Sequence, residues 1–133
     1  MDIEEVDIRE RTLQNSNYRE VVATGRSLQI VIQCLRPREK IDLEIHPTID
    51  QYIRVEGGQT RIRGGEGQDI LLNEGEAVFI HANTWHEVSN PSDTKNALVY
   101  TIYSPPEHPV DLIQKKKPKR RKEVQHNENC IVI

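Results

Sequence analysis

The sequence has few of the features that mark secreted or membrane-spanning proteins. Its two cysteines, Cys34 and Cys130, are too few for a disulfide framework, and Cys34 lies in an apolar run, as a buried small side chain would. No apolar run approaches the length that crosses a bilayer. The N-terminus, MDIEEVDIRE, is acidic and lacks the basic start and apolar stretch of a secretory signal. These absences predict an intracellular, cytoplasmic protein.

Convincing helical periodicity is also missing, and 133 residues predict a single domain. What is present is a series of short runs rich in Val and Ile, separated by turn signals: YREVVAT, LQIVIQCL, IDLEIH, QYIRVE, QTRIR, DILL, EAVFI, HEVSN and ALVYTIYS. This spacing predicts an all-β sandwich or barrel over residues 18–106. Residues 1–17 are an N-terminal arm, which the pattern leaves open as a loop, an edge strand or a short helical turn.

Glycines mark two reversals of the chain. Gly57 and Gly58 separate QYIRVE from QTRIR, and a second group, from Gly64 to Gly67, follows QTRIR. Because glycine supplies the positive φ that tight turns need, the strands on either side of each reversal are predicted to be antiparallel neighbours. The run SPPEHP, which begins at Ser104, ends the last strand, since proline lacks the donor that a sheet requires.

Charge is distributed unevenly along the chain. The formal net charge is −3, yet KKKPKRRK, residues 115–122, is almost entirely basic. The composition of residues 107–133 predicts a flexible polybasic tail. Its predicted partner is an anionic membrane, the nuclear import machinery or nucleic acid. The alternative is a solvated tail without a partner. The terminal CIVI fits a prenylation pattern on Cys130, which predicts membrane association as an alternative to a cytoplasmic or nuclear location.

Metal-ligating residue types occur in two separated segments. In IDLEIHPTIDQY, Glu44 and His46 are two residues apart, so a strand directs both side chains to one face. Gln51 follows His46 by five residues, and His86 lies 40 residues beyond His46 in GEAVFIHANTWHEVSN. A barrel can bring both segments together around one divalent ion. Asp50 is the alternative to Gln51 if the strand begins one residue earlier.

These two segments resemble the paired motifs of the cupin superfamily. The positions that match the first motif are Glu44, His46, Gln51 and Gly58, and those that match the second are Gly75, His81, Asn83, His86 and Asn90. The chain as a whole is similar to small single-domain cupins of the mannose-6-phosphate isomerase-like group (cupin type 2). The resemblance implies a double-stranded β-helix, or jelly roll, that forms a homodimer. It also implies a divalent ion (zinc, manganese, nickel or iron) on Glu44, His46, Gln51 and His86.

Four positions depart from the family pattern. Glu44 stands where a histidine is usual, Gln51 where a glutamate is usual, Arg38 where the first motif begins with glycine, and His81 where the second motif has proline. Two imidazoles, one carboxylate and one amide would leave a divalent ion with about one net positive charge, enough to polarise a substrate oxygen.

Three functions follow from this resemblance. The first is an enzyme that acts on a small polar metabolite and isomerises a sugar or sugar phosphate through a metal-stabilised enediolate. The second is a non-catalytic ligand-binding or structural module. The third is an iron-dependent oxygenase that uses Glu44, His46 and His86 as a two-histidine, one-carboxylate face. The pattern assigns no catalytic base: Glu107 and His108 are candidates, although a solvated loop is the expected environment for both.

Other residues can contribute to a pocket only if they face inward. Arg54 and Arg61 can bind a phosphate or carboxylate from inside the barrel. Arg54 follows Gln51 by three residues, so it is predicted to point outward. The aromatic residues are expected in the core, although they can also line the pocket or the dimer surface: Tyr52, Trp85, Tyr100 and Tyr103.

Overall fold

The computed structural model describes residues 2–119 and 131–132. Within these ranges the chain forms one α-helix, α1 (Ile8–Gln14), a 3₁₀ turn (Gly65–Gly67) and eleven strands. The strands are β1 (Arg19–Thr24), β2 (Gln29–Leu35), β3 (Lys40–Ile45), β4 (Asp50–Gly57), β5 (Thr60–Gly64), β6 (Asp69–Leu72), β7 (Ala77–Ile80), β8 (His86–Ser89), β9 (Ala97–Ser104), β10 (Ile113–Gln114) and β11 (Ile131–Val132). The first nine strands lie on the nine runs identified in the sequence, so the all-β prediction is confirmed.

The strands form two antiparallel sheets. One has the order β10-β1-β2-β9-β4-β7 and the other the order β11-β3-β8-β5-β6. Inward-facing side chains of both sheets build one apolar cluster, so the sheets pack face to face. Along β9, Ala97, Val99, Thr101 and Tyr103 are buried and alternate with partly exposed residues, as expected for a strand with one face on a core.

The turn at Gly57 and Gly58 connects the two sheets. The hairpin predicted there is wrong, because β4 pairs with β7 and β9 whereas β5 pairs with β6 and β8. Gly58 has a φ of +72°, and a Cβ at this position would lie 2.3 Å from the carbonyl oxygen of Asn96. The close approach of another backbone, in addition to the positive φ, therefore requires glycine. The second predicted reversal does form an antiparallel pair, β5 with β6.

The N-terminal segment contains a short helix, which resolves the three alternatives left open by the sequence. The carboxylate of Asp7 caps α1 by accepting a hydrogen bond from the backbone N–H of Glu10. Thr12 is buried, and a side-chain carbon of Leu13 lies beside Gly57 on β4. The helix thus covers part of the outer surface of the first sheet.

The segment after β9 continues along the barrel beyond the predicted boundary at residue 106. β10 pairs with β1, and backbone N–H groups of Tyr18 and Val21 donate to the carbonyl oxygens of Lys115 and Leu112. The flexible tail predicted from residue 107 therefore does not begin there. The remainder of the basic run, from residue 120, and Cys130 lie outside the described residues.

Within the described residues, no helix is long and apolar enough to span a membrane. Cys34 is buried, as predicted, and burial raises the pKa of its thiol. A buried thiol with a raised pKa is unreactive because the thiolate is the nucleophilic form.

Candidate metal centre

Three side chains converge at one end of the barrel. Glu44 lies on β3, His46 follows the last residue of that strand, and His86 begins β8. The two strands are antiparallel neighbours, and their register sets Glu44 opposite His86. All three side chains are buried, and their candidate ligand atoms lie within 4.8 Å of one another. The cluster can therefore hold a metal ion.

A β-bulge in β3 sets the direction of Glu44. Ile41 pairs with Val88, and the next pair in the register is Glu44 with His86, so β3 has one more residue than β8 between these pairs. Strict alternation would point Ile41 and Glu44 to opposite faces, but both are buried, while Leu43 between them is exposed. The irregularity therefore places a carboxylate on the interior face.

The imidazole of His86 is oriented by a backbone hydrogen bond. Nδ1 of His86 lies 2.8 Å from the carbonyl oxygen of Thr84. Because a carbonyl oxygen only accepts, Nδ1 carries the proton, and Nε2 of the neutral ring has a lone pair. Nε2 is buried and has no hydrogen-bond partner in the part of the chain that the structure describes. An orphaned lone pair of this kind is what a metal ion would satisfy.

The carboxylate of Glu44 lies between the two imidazoles. Its Oε1 is 3.1 Å from Nε2 of His46 and 3.7 Å from Nε2 of His86. Burial by itself would raise the pKa of Glu44, but its interactions with the two neighbouring imidazoles, His46 and His86, outweigh burial and hold the pKa well below its usual range. Glu44 is therefore ionised at neutral pH, in the form that binds a cation.

Gln51 faces the barrel interior from β4. It is 2% exposed, and its Oε1 is buried without a hydrogen-bond partner among the described residues. The alternative ligand Asp50 is exposed, and its carboxylate accepts a hydrogen bond from the backbone N–H of Ala82. Asp50 is thus on the outer face, and the alternative that gave it the place of Gln51 is wrong.

Two non-glycine residues of the two motif segments adopt the left-handed conformation that glycine favours. Arg38 has a φ of 63° and Asn83 a φ of 65°. Asparagine tolerates this left-handed region better than most residues. The backbone N–H of Asn83 donates to the carbonyl oxygen of His46 at 2.7 Å, which fastens the two ligand-bearing segments to each other. His81 is exposed and packs edge-on against the ring of Phe79.

Glu107 and His108 lie beside the cluster rather than in solvent. The Glu107 side chain is 5% exposed, and its Oε2 is 3.9 Å from Nδ1 of His46. The His108 ring packs edge-on against Tyr103, which in turn packs edge-on against His46. Burial, followed by the charge of Arg19, lowers the pKa of His108 to about 3. The expected solvated loop is therefore wrong, and His108 is neutral at neutral pH.

Gln29 holds this segment in place and was not identified from the sequence. Its side chain is fully buried on β2, where Oε1 accepts from the backbone N–H groups of Glu107 and His108 at 3.2 and 2.9 Å. Its Nε2 donates to the carbonyl oxygen of His108 and to Oγ1 of Thr24. The available signal was a glutamine at an inward-facing position of an apolar strand, since buried amides need partners.

The arginines of the flanking strands point away from the cluster. Arg54 pairs with Glu56, which is itself buried, and Arg61 pairs with the exposed Asp69. This confirms the outward direction predicted for Arg54, and neither arginine can bind a ligand inside the barrel. Among the aromatic residues, Tyr103 is in the core, whereas Trp85 is 37% exposed. Tyr52 and Tyr100 are partly buried neighbours on the outer face of the first sheet.

A cavity of about 320 Å³ adjoins the cluster through His86. Residues of β6 and β7, the edge strands of the two sheets, contribute to its lining. The lining is mostly apolar, with four polar side chains, those of Gln68, His81, Thr84 and His86. The remaining lining residues are Ile62, Gly64, Ile70, Val78, Phe79 and Ile80. This volume suits a small molecule.

Two facing antiparallel sheets with a histidine and carboxylate cluster at one end define a β-barrel protein with a potential metal site. The family model described as Cupin domain (Cupin_2) matches residues 31–103 of this chain. The chain belongs to this family. Its ligand-bearing segments, from Glu44 to His86, lie within the matched range.

Relatives extend the similarity to most of the chain. An uncharacterized protein of Acanthamoeba polyphaga mimivirus is 43% identical over 115 residues, which cover 85% of this chain and 72% of that protein. The uncharacterized protein YrkC of Bacillus subtilis (strain 168) is 36% identical over 84% of this chain, which spans 62% of the length of YrkC. The crystal structure of BH2720 from Bacillus halodurans is 33% identical, with a TM-score of 0.80 over 84% of this chain and 88% of that chain.

Proposed function

We propose that the protein binds a divalent transition metal ion on Glu44, His46 and His86 and uses it to bind a small polar metabolite. The observation that carries this proposal is the convergence of three buried ligand groups within 4.8 Å of one another. Two imidazole nitrogens and a carboxylate are ligands that zinc, manganese, nickel and iron all accept. The ionised state of Glu44 and the orphaned Nε2 of His86 fit a cation better than they fit an apolar core.

Gln51 is proposed as the fourth ligand. Its side chain points inward from β4 with a buried amide oxygen that needs a partner. An amide oxygen binds hard and borderline cations through a lone pair and brings no charge. The complete set of two imidazoles, one carboxylate and one amide thus carries a single negative charge.

Isomerisation of a sugar is the reaction proposed for this site. A bound divalent ion would act as a Lewis acid toward the oxygen atoms of the substrate. The chain supplies the cavity beside His86, where Gln68, His81 and Thr84 offer hydrogen bonds to hydroxyl groups. Because none of the described residues that line this cavity is lysine or arginine, it favours a neutral sugar over a sugar phosphate.

The resemblance to the mannose-6-phosphate isomerase-like cupins supports this proposal, although activity depends on the site rather than on the fold. A second candidate, an iron-dependent oxygenase, is favoured by one observation. Glu44, His46 and His86 are the two histidines and one carboxylate that hold ferrous iron in such enzymes. A metal-bound module without catalysis is the third alternative.

Elemental analysis of the purified protein tests the metal site. The parent is compared with a His46→Ala, His86→Ala double variant, and His81→Ala serves as the matched control because His81 is an exposed histidine outside the cluster. We expect about one equivalent of transition metal in the parent and the control and none in the folded double variant. Metal that is absent from the parent, even after reloading, would contradict the proposal.

A substrate screen then separates the candidate activities. Neutral sugars and sugar phosphates are tested for isomerisation with the metal-loaded parent, and O₂ consumption is measured with the ferrous form. Isomerisation that the double variant lacks supports the first candidate, and O₂ uptake supports the second. A loaded protein that binds ligands without turnover is the third.

We also propose that two copies of the chain associate through exposed edge strands. Leu71 on β6 is 50% exposed and Phe79 on β7 is 57% exposed, and both strands are at sheet edges, where apolar side chains favour association. Light scattering measures the molecular mass of the parent and of a Leu71→Lys, Phe79→Lys variant. We expect the mass of a dimer for the parent and of a monomer for the variant, and a monomeric parent would contradict the proposal.

The roles of the basic run and of Cys130 stay predictions.

A further inference from the structure

The two histidines of the cluster differ in how their outer ring nitrogens are held. Nδ1 of His86 donates to the carbonyl oxygen of Thr84 at 2.8 Å. Nδ1 of His46 is buried and makes no hydrogen bond within the described residues. The carboxylate oxygen Oε2 of Glu107 lies 3.9 Å from this nitrogen, in a side chain that is 5% exposed. Glu107 thus faces His46 from the side opposite to Glu44.

We propose that Glu107 is a positioning residue of the metal centre, which accepts a hydrogen bond from Nδ1 of His46 and thereby directs Nε2 toward the ion. This inference rests on the metal-binding function proposed above. It gives each histidine an outer acceptor, the Thr84 carbonyl for His86 and the Glu107 carboxylate for His46. Acceptors of this kind fix the tautomer and the orientation of a ligand imidazole and make it a better donor to the metal.

The distance between His46 and Glu107 follows from where the ring proton lies. In the structure Nε2 of His46 lies 3.1 Å from the ionised Glu44, which can only accept, so the proton is on Nε2. In the neutral ring Nδ1 then presents a lone pair to Glu107, and a lone pair and a carboxylate oxygen do not approach to hydrogen-bond distance. An imidazole that binds a metal through Nε2 carries its proton on Nδ1, where Glu107 would accept it at about 2.8 Å.

The fold holds Glu107 in this place. Gln29 accepts from the backbone N–H groups of Glu107 and His108 and donates to the carbonyl oxygen of His108. The His108 ring rests on Tyr103, which also contacts the ring of His46. Residues 107–108 are therefore fixed against the interior of β2 and β9, as a positioning residue requires.

Zinc affinity and the His46 proton test the role of Glu107 in the full chain. The parent, Glu107→Gln and Glu107→Ala are titrated with zinc against a chromogenic chelator, and Glu74→Gln controls for the loss of an exposed carboxylate. Loss of an outer acceptor costs about 10- to 100-fold in metal affinity. We expect about a 10-fold higher Kd in Glu107→Gln, a larger increase in Glu107→Ala, and the parental value in Glu74→Gln. If Glu107→Ala does not fold, the zinc Kd of the isosteric Glu107→Gln variant tests the role of Glu107.

Long-range ¹H–¹⁵N spectra of the zinc-loaded proteins give the second readout. The Nδ1–H signal of His46 should lie downfield in the parent and move upfield in Glu107→Gln, while that of His86 stays constant. Unchanged affinity, or an affinity loss without a change in the His46 signal, would overturn the proposal, because the latter marks a merely structural effect. If the parent binds no zinc, the proposed metal-binding function fails as well. If the parent binds zinc and the Glu107 variants bind it with the same Kd, only the role of Glu107 is refuted.

Discussion

The hydrogen bond between Nδ1 of His86 and the carbonyl oxygen of Thr84 decides which ring nitrogen of His86 faces the cluster. Because the acceptor is a backbone atom, a substitution at Thr84 would remove this hydrogen bond only if it moved the backbone. His86 therefore presents a lone pair to the interior in the folded state. An ion that binds there adds its binding free energy to the stability of the folded state.

We predict that zinc stabilises the protein and that this effect needs His86. Binding to the folded state alone adds about 2.7 kcal/mol to the free energy of unfolding when the free ion is at 100 times its Kd. Thermal unfolding with and without zinc should show the increase for the parent and for His81→Ala, and no increase for His86→Ala. Equal zinc-dependent shifts in all three proteins would mean that the ion binds elsewhere.

Replacement of Gln29 by leucine is predicted to destabilise the fold. The substitution keeps a similar volume but leaves the backbone N–H groups of Glu107 and His108 without their acceptor. Each buried donor left unsatisfied costs about 1–3 kcal/mol, so we expect a loss of about 2–4 kcal/mol in the free energy of unfolding by urea. Gln59→Leu is the matched control at an exposed site, where a change within about 0.5 kcal/mol is expected. Similar losses in both variants would contradict the role given to Gln29.

Local patterns in the sequence were enough to predict the strands, and the resemblance to the cupin motifs supplied the residues of the cluster. The runs rich in Val and Ile became β1 to β9, the two-residue spacing of Glu44 and His46 set their common face, and the second motif added His86, which the neighbouring strand brings beside them. The side-chain direction of Glu44 was predicted correctly although the bulge in β3 was not, because the predicted pair Glu44 and His46 lies after the irregularity.

Features that depend on distant parts of the chain were not predicted. Pro105 and Pro106 correctly end β9, but nothing near them indicates that the next two residues return to the interior. Their hydrogen bonds with Gln29 join positions 78 and 79 residues apart, and a local pattern carries no signal at that separation. For the same reason the turn at Gly58 was taken for a hairpin, although it leads from one sheet to the other.

The low pKa of His108 predicts a loss of stability in mild acid. Burial and the charge of Arg19 lower the pKa in the folded protein to about 3, below the value of 6.5 for the unfolded chain. The unfolded state therefore takes up a proton as pH falls below 6.5, whereas the folded state does not until pH approaches 3. This contribution to stability is complete above pH 6.5 and declines between pH 6.5 and 3, by about 1–2 kcal/mol between pH 7 and pH 5.

Urea unfolding of the parent and of His108→Asn at pH 7 and pH 5, with a chelator present, checks this expectation. The parent should lose about 1–2 kcal/mol more than the variant between the two pH values, because asparagine does not titrate. The lowered pKa of Glu44 acts with the same sign, but below about pH 4.5, outside this window. An equal loss in both proteins would show that His108 takes up its proton in the folded state.

Gly58 and Gly67 have nearly the same φ but different surroundings. Alanine substitutions at the two positions therefore separate the cost of a close backbone approach from the cost of a positive φ. Gly58 has a φ of +72° and Gly67 a φ of +76°, but a Cβ at Gly58 would lie 2.3 Å from the carbonyl oxygen of Asn96, whereas a Cβ at Gly67 meets no atom of the described residues within 4 Å. Gly67→Ala should therefore cost only the strain of the left-handed region, about 1 kcal/mol. Gly58→Ala also forces two backbone segments apart where the chain passes between sheets, so we expect a loss of more than about 3 kcal/mol. Urea unfolding of both variants measures the difference, and equal losses would show that the contact with Asn96 relaxes without cost.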